Sequence, residues 1–273
     1  MHTARQSASR PIRATRAFVT LVTNSDFARG ARVLMKSLIR TGTRADLVVM
    51  HTDAVTEADL APLRALGVRL VRAEHLPLSA AFNAAHARDR LHGAAPFTKG
   101  TKPAFHTPLD NFIKLRLWQL DYDTCVFLDS DTLVVQNIDR LFDYPQFSAA
   151  PNVYESLADF HRMNSGVFVA SPCERTFRDM LDRLEGRFWK RTDQTFLQEM
   201  FPDWHGLPIF YNMLQYSWIN LPDLWDWDHV KIVHYQYEKP WEKGHARAQQ
   251  LRPLIDLWHA YEQDRAPNLP RAA

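Results

Sequence analysis

Short apolar runs alternate with amphipathic stretches through the first quarter of the chain, and that alternation constrains the fold more than any other feature. Phe18 to Val22 is an apolar run ending at Thr23-Asn24-Ser25-Asp26. Gly30 to Arg40 has helical spacing, with Val33, Leu34, Leu38 and Ile39 on one side. Leu47 to Met50 reads as a buried strand. Thr56 suits an N-cap with Asp59 near the capping-box position, Leu60, Leu63 and Leu66 follow, and Gly67 suits a helix stop. Val68 to Val71 is a third short strand. Strands alternating with helices imply an α/β domain, a parallel sheet with helices on both faces. Ligands of such sheets bind beyond the carboxyl ends of the strands.

The centre of the chain places chemistry at such an end. Phe112, Leu115, Leu117 and Leu120 suit a helix around 110–120. Cys125-Val126-Phe127-Leu128 then fits a strand buried on both faces, and it runs directly into Asp129-Ser130-Asp131. Side chains at i and i+2 of an extended chain point the same way. Two carboxylates on one side repel unless something positive lies between them. A divalent ion answers that need, and a bare D-x-D that merely caps a turn is the alternative. Oxygen ligands suit Mg²⁺ or Mn²⁺, and an added imidazole leans toward Mn²⁺.

Other segments are less informative. Residues 77–109 hold four prolines and three histidines with little periodicity, which fits a mobile active-site loop or a plain surface insertion. Gly166 to Ala170 and Val230 to Val233 suit strands, and Phe177, Met180, Leu181 and Leu184 suit a helix. The aromatic stretch from Trp204 to Trp241 suits either an acceptor platform or core. Residues 1–16 carry Arg5, Arg10, Arg13 and Arg16 without an acid, as a disordered leader or a transit segment would. Residues 17–262 then form one domain, and 263–273 a frayed tail.

Composition narrows the class. Hydrophobic residues at 46% and charged residues at 23% support a core and argue against disorder. A formal charge of +2 does not suit a nucleic-acid binder. No apolar run approaches the ~20 residues of a membrane span. The nine glycines contain no G-x-G-x-x-G, against a dinucleotide-dependent oxidoreductase. Cys125 and Cys173 stand in apolar surroundings, as two buried thiols of a reducing, cytoplasmic setting would.

The stretch Val126-Phe127-Leu128-Asp129-Ser130-Asp131-Thr132-Leu133-Val134-Val135 resembles the metal-binding core of family 8 glycosyltransferases, the group of glycogenin and the galactinol synthases. Further motifs follow in the family order from about Phe18 to Trp241. The resemblance implies a GT-A type nucleotide-diphospho-sugar transferase fold with a mostly parallel sheet. It implies metal ligation by Asp129, Asp131 and His234, the last within Ile232-Val233-His234-Tyr235. It places Leu21, Thr23 and Asn24 against the nucleotide, with Phe27 either stacking on the base or simply packing. Lys114, Ser130 and Lys239 would face the diphosphate and sugar. Asn164 of Asn164-Ser165-Gly166, together with Asp193 and Gln194, would surround the reacting sugar. Locally, Thr192 suits an N-cap and Asp193 suits a helix's first turn.

The implied activity is retaining, Mn²⁺- or Mg²⁺-dependent hexosyl transfer from a UDP-sugar, UDP-glucose or UDP-galactose favoured. The acceptor is a hydroxyl on a polyol, saccharide or protein. Asp226 to Tyr235 looks closer to the galactinol synthases, which transfer to inositol. A catalytically silent sugar-nucleotide-binding relative is a further alternative. Departures from the family pattern are Lys190, where an acid is common three positions before Asp193, and Gln236-Tyr237-Glu238, where many members have a glycine. Trp218 and Ile219 after Tyr211-Asn212 do not support self-glucosylation in the glycogenin manner.

Overall fold

A computed structural model describes residues 16–92, 105–244 and 247–270. The leader expected over 1–16 lies outside the described residues except for Arg16, which opens the first strand. In chain order the elements begin β1 (Arg16–Val22), α1 (Ser25–Arg40), β2 (Asp46–His51), α2 (Glu57–Ala65) and β3 (Arg69–Arg72). Two short helices follow, α3 (Ala80–Ala85) and α4 (Arg88–His92), and residues 93–104 of the expected loop lie outside the described ones. Next come β4 (Thr124–Leu128), β5 (Thr132–Val134), β6 (Ser148–Pro151), β7 (Met163–Ala170), α5 (Glu174–Leu184) and α6 (Thr192–Met200). The chain continues through β8 (His205–Gly206), β9 (Met213–Leu214), α7 (Ser217–Asn220), β10 (Ile232–His234) and α8 (Arg252–Glu262).

The main sheet has seven strands in the order β3-β2-β1-β4-β7-β6-β8. Only the β4–β7 and β6–β7 pairings are antiparallel. Alternation along β1 explains the two-faced core. Ala17, Val19 and Leu21 pack on one face beneath α5, α6 and residues 108–119, and Phe18 and Val22 pack on the other beneath α1 and α2. β1 lies between β2 and β4 and is parallel to both. The connections therefore diverge at the carboxyl ends of β1 and β4, which opens a crevice there. A second sheet, β5-β10-β9, closes the crevice from beyond, backed by α8.

Local expectations hold where the signal is local. Thr56 caps α2 with a complete capping box to Asp59, and Gly67 follows with φ +77°. The stretch from Pro108 to Gln119, however, winds as a 3₁₀ helix rather than an α-helix. With three residues per turn, side chains at i and i+3 eclipse. Phe112, Leu115 and Trp118 thereby form one buried row, and Asn111 and Lys114 form another that faces the crevice.

Two further expectations change. Cys125 is buried, and burial pushes its thiol up to about 12. Cys173 is exposed, because it occupies the cap position before α5. The start of the expected tail is tied down rather than frayed. Lys36 donates to Asp264 at 2.6 Å and to the Glu262 carbonyl at 3.0 Å. No helix among the described residues is long and apolar enough to cross a membrane.

Candidate active site

The crevice is a cavity of about 720 Å³, within the ordinary range for a small-molecule site. Leu21, Thr23, Phe27, Lys114, Ser130, Asn164, Gln194 and Lys239 all line it, as do Asp129, Asp131, Asp193 and His234. Asn24 does not. Its carbonyl oxygen accepts from the Phe27 amide as the N-cap of α1, and its Nδ2 donates to the Phe105 carbonyl. Phe27 meets Phe105 edge-on at 5.2 Å.

Asp129 and Asp131 do not sit in extended chain. They frame a tight turn between β4 and β5, closed by Thr132, whose N–H and hydroxyl both donate to the Asp129 carbonyl at 3.0 and 2.7 Å. Two sheets hold that turn. The Asp129 amide donates to the Gly166 carbonyl at 2.8 Å, prolonging the β4–β7 ladder, and the Tyr235 amide donates to the Asp131 carbonyl at 2.9 Å. β10 runs antiparallel to β5 with His234 opposite Thr132, and this register delivers the imidazole. His234 Nε2 lies 3.3 Å from Asp131 and 3.9 Å from Asp129. One ligand atom from each of Asp129, Asp131 and His234 falls within 4.8 Å of the others.

The tautomer of His234 follows from a backbone group. The Gly166 amide donates to Asn164 at 2.9 Å, so the atom facing it is Asn164 Oδ1. The Asn212 atom 2.8 Å from that oxygen must then be its NH₂, which turns Asn212 Oδ1 toward His234 Nδ1 at 2.9 Å. Nδ1 carries a proton, which leaves Nε2 as the nitrogen turned toward the two carboxylates and the one able to ligate a cation. Asn164 Nδ2 donates to Asn152 Oδ1 at 2.9 Å. Asn164 thus has its carbonyl fully engaged and one amide hydrogen left for a ligand.

Two buried ammonium groups neutralise the acids. Lys239 donates to Asp131 Oδ2 and, at 2.9 Å, to the Tyr235 carbonyl, leaving one N–H unused. Burial raises the Asp131 carboxyl, but Lys239 and His234 outweigh it and hold the group well below the usual carboxylate range. Burial raises Asp129, and Lys114 only partly offsets that. Lys114 donates to Asp129 at 3.1 Å and to the Ser165 carbonyl at 3.4 Å, and it forms an ion pair with Asp193 at 2.8 Å. Burial opposes its charge, yet the two carboxylates outweigh burial and raise its pKa.

Thr192 is not a capping residue. It lies at φ +47°, in the left-handed region, a strain of about 1–3 kcal/mol for a non-glycine residue. Its hydroxyl accepts from Asn111 Nδ2 and donates to Asp193 Oδ1, each at 2.9 Å. Tyr237 lies at φ +64°, so the backbone conformation a glycine would supply in this gap is kept without one. Its hydroxyl meets that of Tyr154 at 3.0 Å. Trp218, Trp225 and Trp227 pack on one another and do not line the cavity, so they do not form a platform for it.

Motif spacing gave no role to Asn212, Gly30 or the ring-facing side of Gly166. A Cβ on Gly166 would lie 2.3 Å from the His234 ring, and one on Gly30 would lie 2.5 Å from the Ser130 carbonyl and 2.7 Å from Trp241. A helix-interior glycine costs about 1 kcal/mol relative to alanine, a signal that Gly30 has a packing reason. Gly30→Ala must displace the Asp129–Asp131 turn or Trp241. We expect a stability loss of about 1–3 kcal/mol, read by denaturant melting. Mn²⁺ binding should weaken with it.

The comparisons fit this geometry. The model of glycosyl transferase family 8 matches residues 18–244. UDP-glucuronate:xylan alpha-glucuronosyltransferase 2 of Arabidopsis thaliana is 33% identical over 82% of this chain and 35% of its own length. Glycogenin-2 of Homo sapiens is 33% identical over 91% of this chain and 50% of its own. The chain therefore spans about a third to a half of these curated relatives. Among solved structures, the galactosyltransferase LgtC in complex with donor and acceptor sugar analogs superposes with TM-score 0.63 at 16% identity, covering 93% of this chain and 97% of LgtC. The glycosyltransferase GlyE of Streptococcus pneumoniae TIGR4, in its apo form, gives 0.64 at 18% identity, covering 91% and 60%. These likenesses show the GT-A fold. Because the family match takes in each motif that converges on the cavity, from the end of β1 to Lys239, the chain belongs to glycosyl transferase family 8.

Proposed function

We propose that this protein is a retaining glycosyltransferase that moves a hexosyl group from a UDP-sugar to a hydroxyl of a polyol, saccharide or protein, with a divalent cation held by Asp129, Asp131 and His234. The observation that carries this reading is the convergence of those two carboxylates and His234 Nε2 at the sheet's switch point. Hard oxygens plus one imidazole suit Mn²⁺ or Mg²⁺. The donor named for the xylan relative, UDP-glucuronate, supports UDP as the nucleotide.

When bound, the cation supplies Lewis acidity toward the departing diphosphate. The chain's own residues supply the rest. Lys239 offers its remaining N–H to the diphosphate, and Thr23 and Phe27 line the nucleotide end. Asp193 lies on the wall where positive charge grows at the anomeric carbon. Both its oxygens are engaged, one by the Thr192 hydroxyl and one by Lys114. That engagement lowers its nucleophilicity. It favours electrostatic stabilisation, with the acceptor attacking from the face of the leaving group and the diphosphate taking its proton.

Melting with UDP, with and without Mn²⁺, tests the reading. Ligand at about 100 Kd stabilises by about 2.7 kcal/mol. The expected shift needs both components. An equal shift with UDP alone removes the metal from the site, and no shift in folded protein removes the donor.

A further inference from the structure

His86 is fully buried, and no step of the transfer uses it. The Trp189 amide can only donate, so His86 Nε2 accepts from it, at 2.9 Å. Nδ1 then carries the proton and donates to the Phe82 carbonyl at 2.9 Å. The ring is therefore a neutral imidazole. Phe82 stacks on it at 4.0 Å and Phe188 at 5.2 Å, and Phe112 meets it edge-on at 5.6 Å.

What the imidazole holds leads straight to the site. Trp189 opens a turn closed by the Thr192 amide on the Trp189 carbonyl at 2.9 Å. Its indole N–H donates to the Leu184 carbonyl at 3.0 Å. Thr192 leaves the turn at φ +47°, and its hydroxyl donates to Asp193 Oδ1 at 2.9 Å. Strain of that kind persists only where the surroundings over-determine it. On its other side His86 follows α3, whose start is tied to the same stretch of chain. The Ser79 amide and hydroxyl donate to Glu185 at 2.6 and 2.9 Å. α4 comes next, and its Arg90 and Leu91 line the cavity. His86 thus joins one wall of the cavity to the backbone that carries Asp193.

We infer that His86 is a positioning residue for Asp193: its neutral imidazole holds the turn from Trp189 to Thr192 closed and so fixes the carboxylate that faces the donor sugar. This rests on the transfer reading above. A proton on Nε2 would set two N–H groups against each other, and a core amide without an acceptor is strongly disfavoured. Burial lowers the pKa of His86 and keeps the ring neutral in the closed turn. In an opened turn the ring meets water and regains its ordinary value. The open form then binds the proton more readily, so the closed form loses stability as pH falls below about 6.5. The charged groups on the elements around the ring are engaged elsewhere or exposed. Asp110 meets His75, Lys114 lies between Asp129 and Asp193, and Arg116 donates to the Glu74 and His75 carbonyls. Glu185 holds Ser79, Arg187 pairs with Glu199, and Lys190 and Arg191 are exposed.

Wild type, His86→Phe and His86→Gln are compared in Mn²⁺. Calorimetry reads UDP binding, and amide hydrogen exchange reads the turn. Turnover is the release of UDP from UDP-glucose, UDP-galactose or UDP-glucuronate, with water as acceptor. His86→Phe keeps a ring and removes the acceptor. It should bind UDP as wild type does, exchange faster over residues 189–193 and lose about 10–100-fold in kcat, the scale of a misplaced group. KM for the donor should change little. His86→Gln sets an oxygen that does not titrate near the Nε2 position, and the amide of residue 86 still donates to the Phe82 carbonyl at 3.1 Å. It should restore kcat and protection above about pH 7, and the ratio of wild-type to His86→Gln kcat should fall below about pH 6.5. Any effect of acid on His234 is common to both proteins and cancels in that ratio. Wild-type kcat in His86→Phe overturns the inference, as does loss of UDP binding in step with kcat or a ratio that ignores pH. Unchanged exchange at residues 189–193 in His86→Phe overturns it even in a protein that turns over none of the three donors. Failure of UDP to bind wild type overturns the transfer reading instead.

Discussion

Asp131→Asn is expected to abolish Mn²⁺-dependent UDP binding and to lower transfer by at least about 10²–10³, the scale for losing one well-placed electrostatic group. Asparagine keeps the side chain's shape and can still accept from Lys239, but it removes the charge that Lys239 and His234 both address. Breaking a buried ion pair leaves the partner uncompensated and typically costs about 3–5 kcal/mol. Here the Tyr235 carbonyl still accepts from Lys239, which limits the penalty. A lower melting point with a native far-ultraviolet dichroism spectrum is therefore part of the expectation. Transfer at the wild-type rate by purified, folded Asp131→Asn protein would sink the assignment of the metal site.

What was legible in the sequence was what neighbouring residues decide. The apolar run Cys125–Leu128 fits a strand buried on both faces, and its four side chains are fully buried. The Thr56 capping box needs no tertiary partner and formed as expected. The Asp129-Ser130-Asp131 motif was found, but for an incomplete local reason. Its carboxylates meet because a turn is pinned between two sheets, not because extended chain alternates. Hydrogen bonds to the Gly166 carbonyl and from the Tyr235 amide do the pinning, and no periodicity in the strand announces them.

The same limit explains the misplaced and missed residues. Asn24 has the composition of a nucleotide contact, yet an asparagine before a helix satisfies an orphan amide at once, and here it does. Lys114 looks like a free cation in one dimension. In the structure two carboxylates and a backbone carbonyl from separate elements surround it. Glycine at 30 and 166 records contacts with Ser130, Trp241 and His234, all distant along the chain. Residues whose role is to leave room for another element carry no motif of their own.

Asn212 makes this dependence measurable, because it faces the cation site only through His234. Asn212→Leu removes the acceptor for His234 Nδ1–H and the donor to Asn164 Oδ1 together. The imidazole is then free to rotate or to place its proton on Nε2, where it cannot ligate. Loss of such an outer partner typically weakens metal binding by about 10–100-fold, and that is the expected result in a Mn²⁺ titration with UDP present. Asn212→Asp separates tautomer control from simple packing. A carboxylate still accepts from Nδ1–H and makes the ring more basic, so Mn²⁺ affinity should stay within a few-fold of wild type. Stability should fall all the same, because the carboxylate is buried and faces the Asn164 carbonyl oxygen, which the Gly166 amide holds in place. A role confined to packing would make affinity follow stability across the two variants. If Asn212→Leu binds Mn²⁺ as wild type does, or both variants lose affinity in proportion to their stability, Asn212 does not set the tautomer of His234.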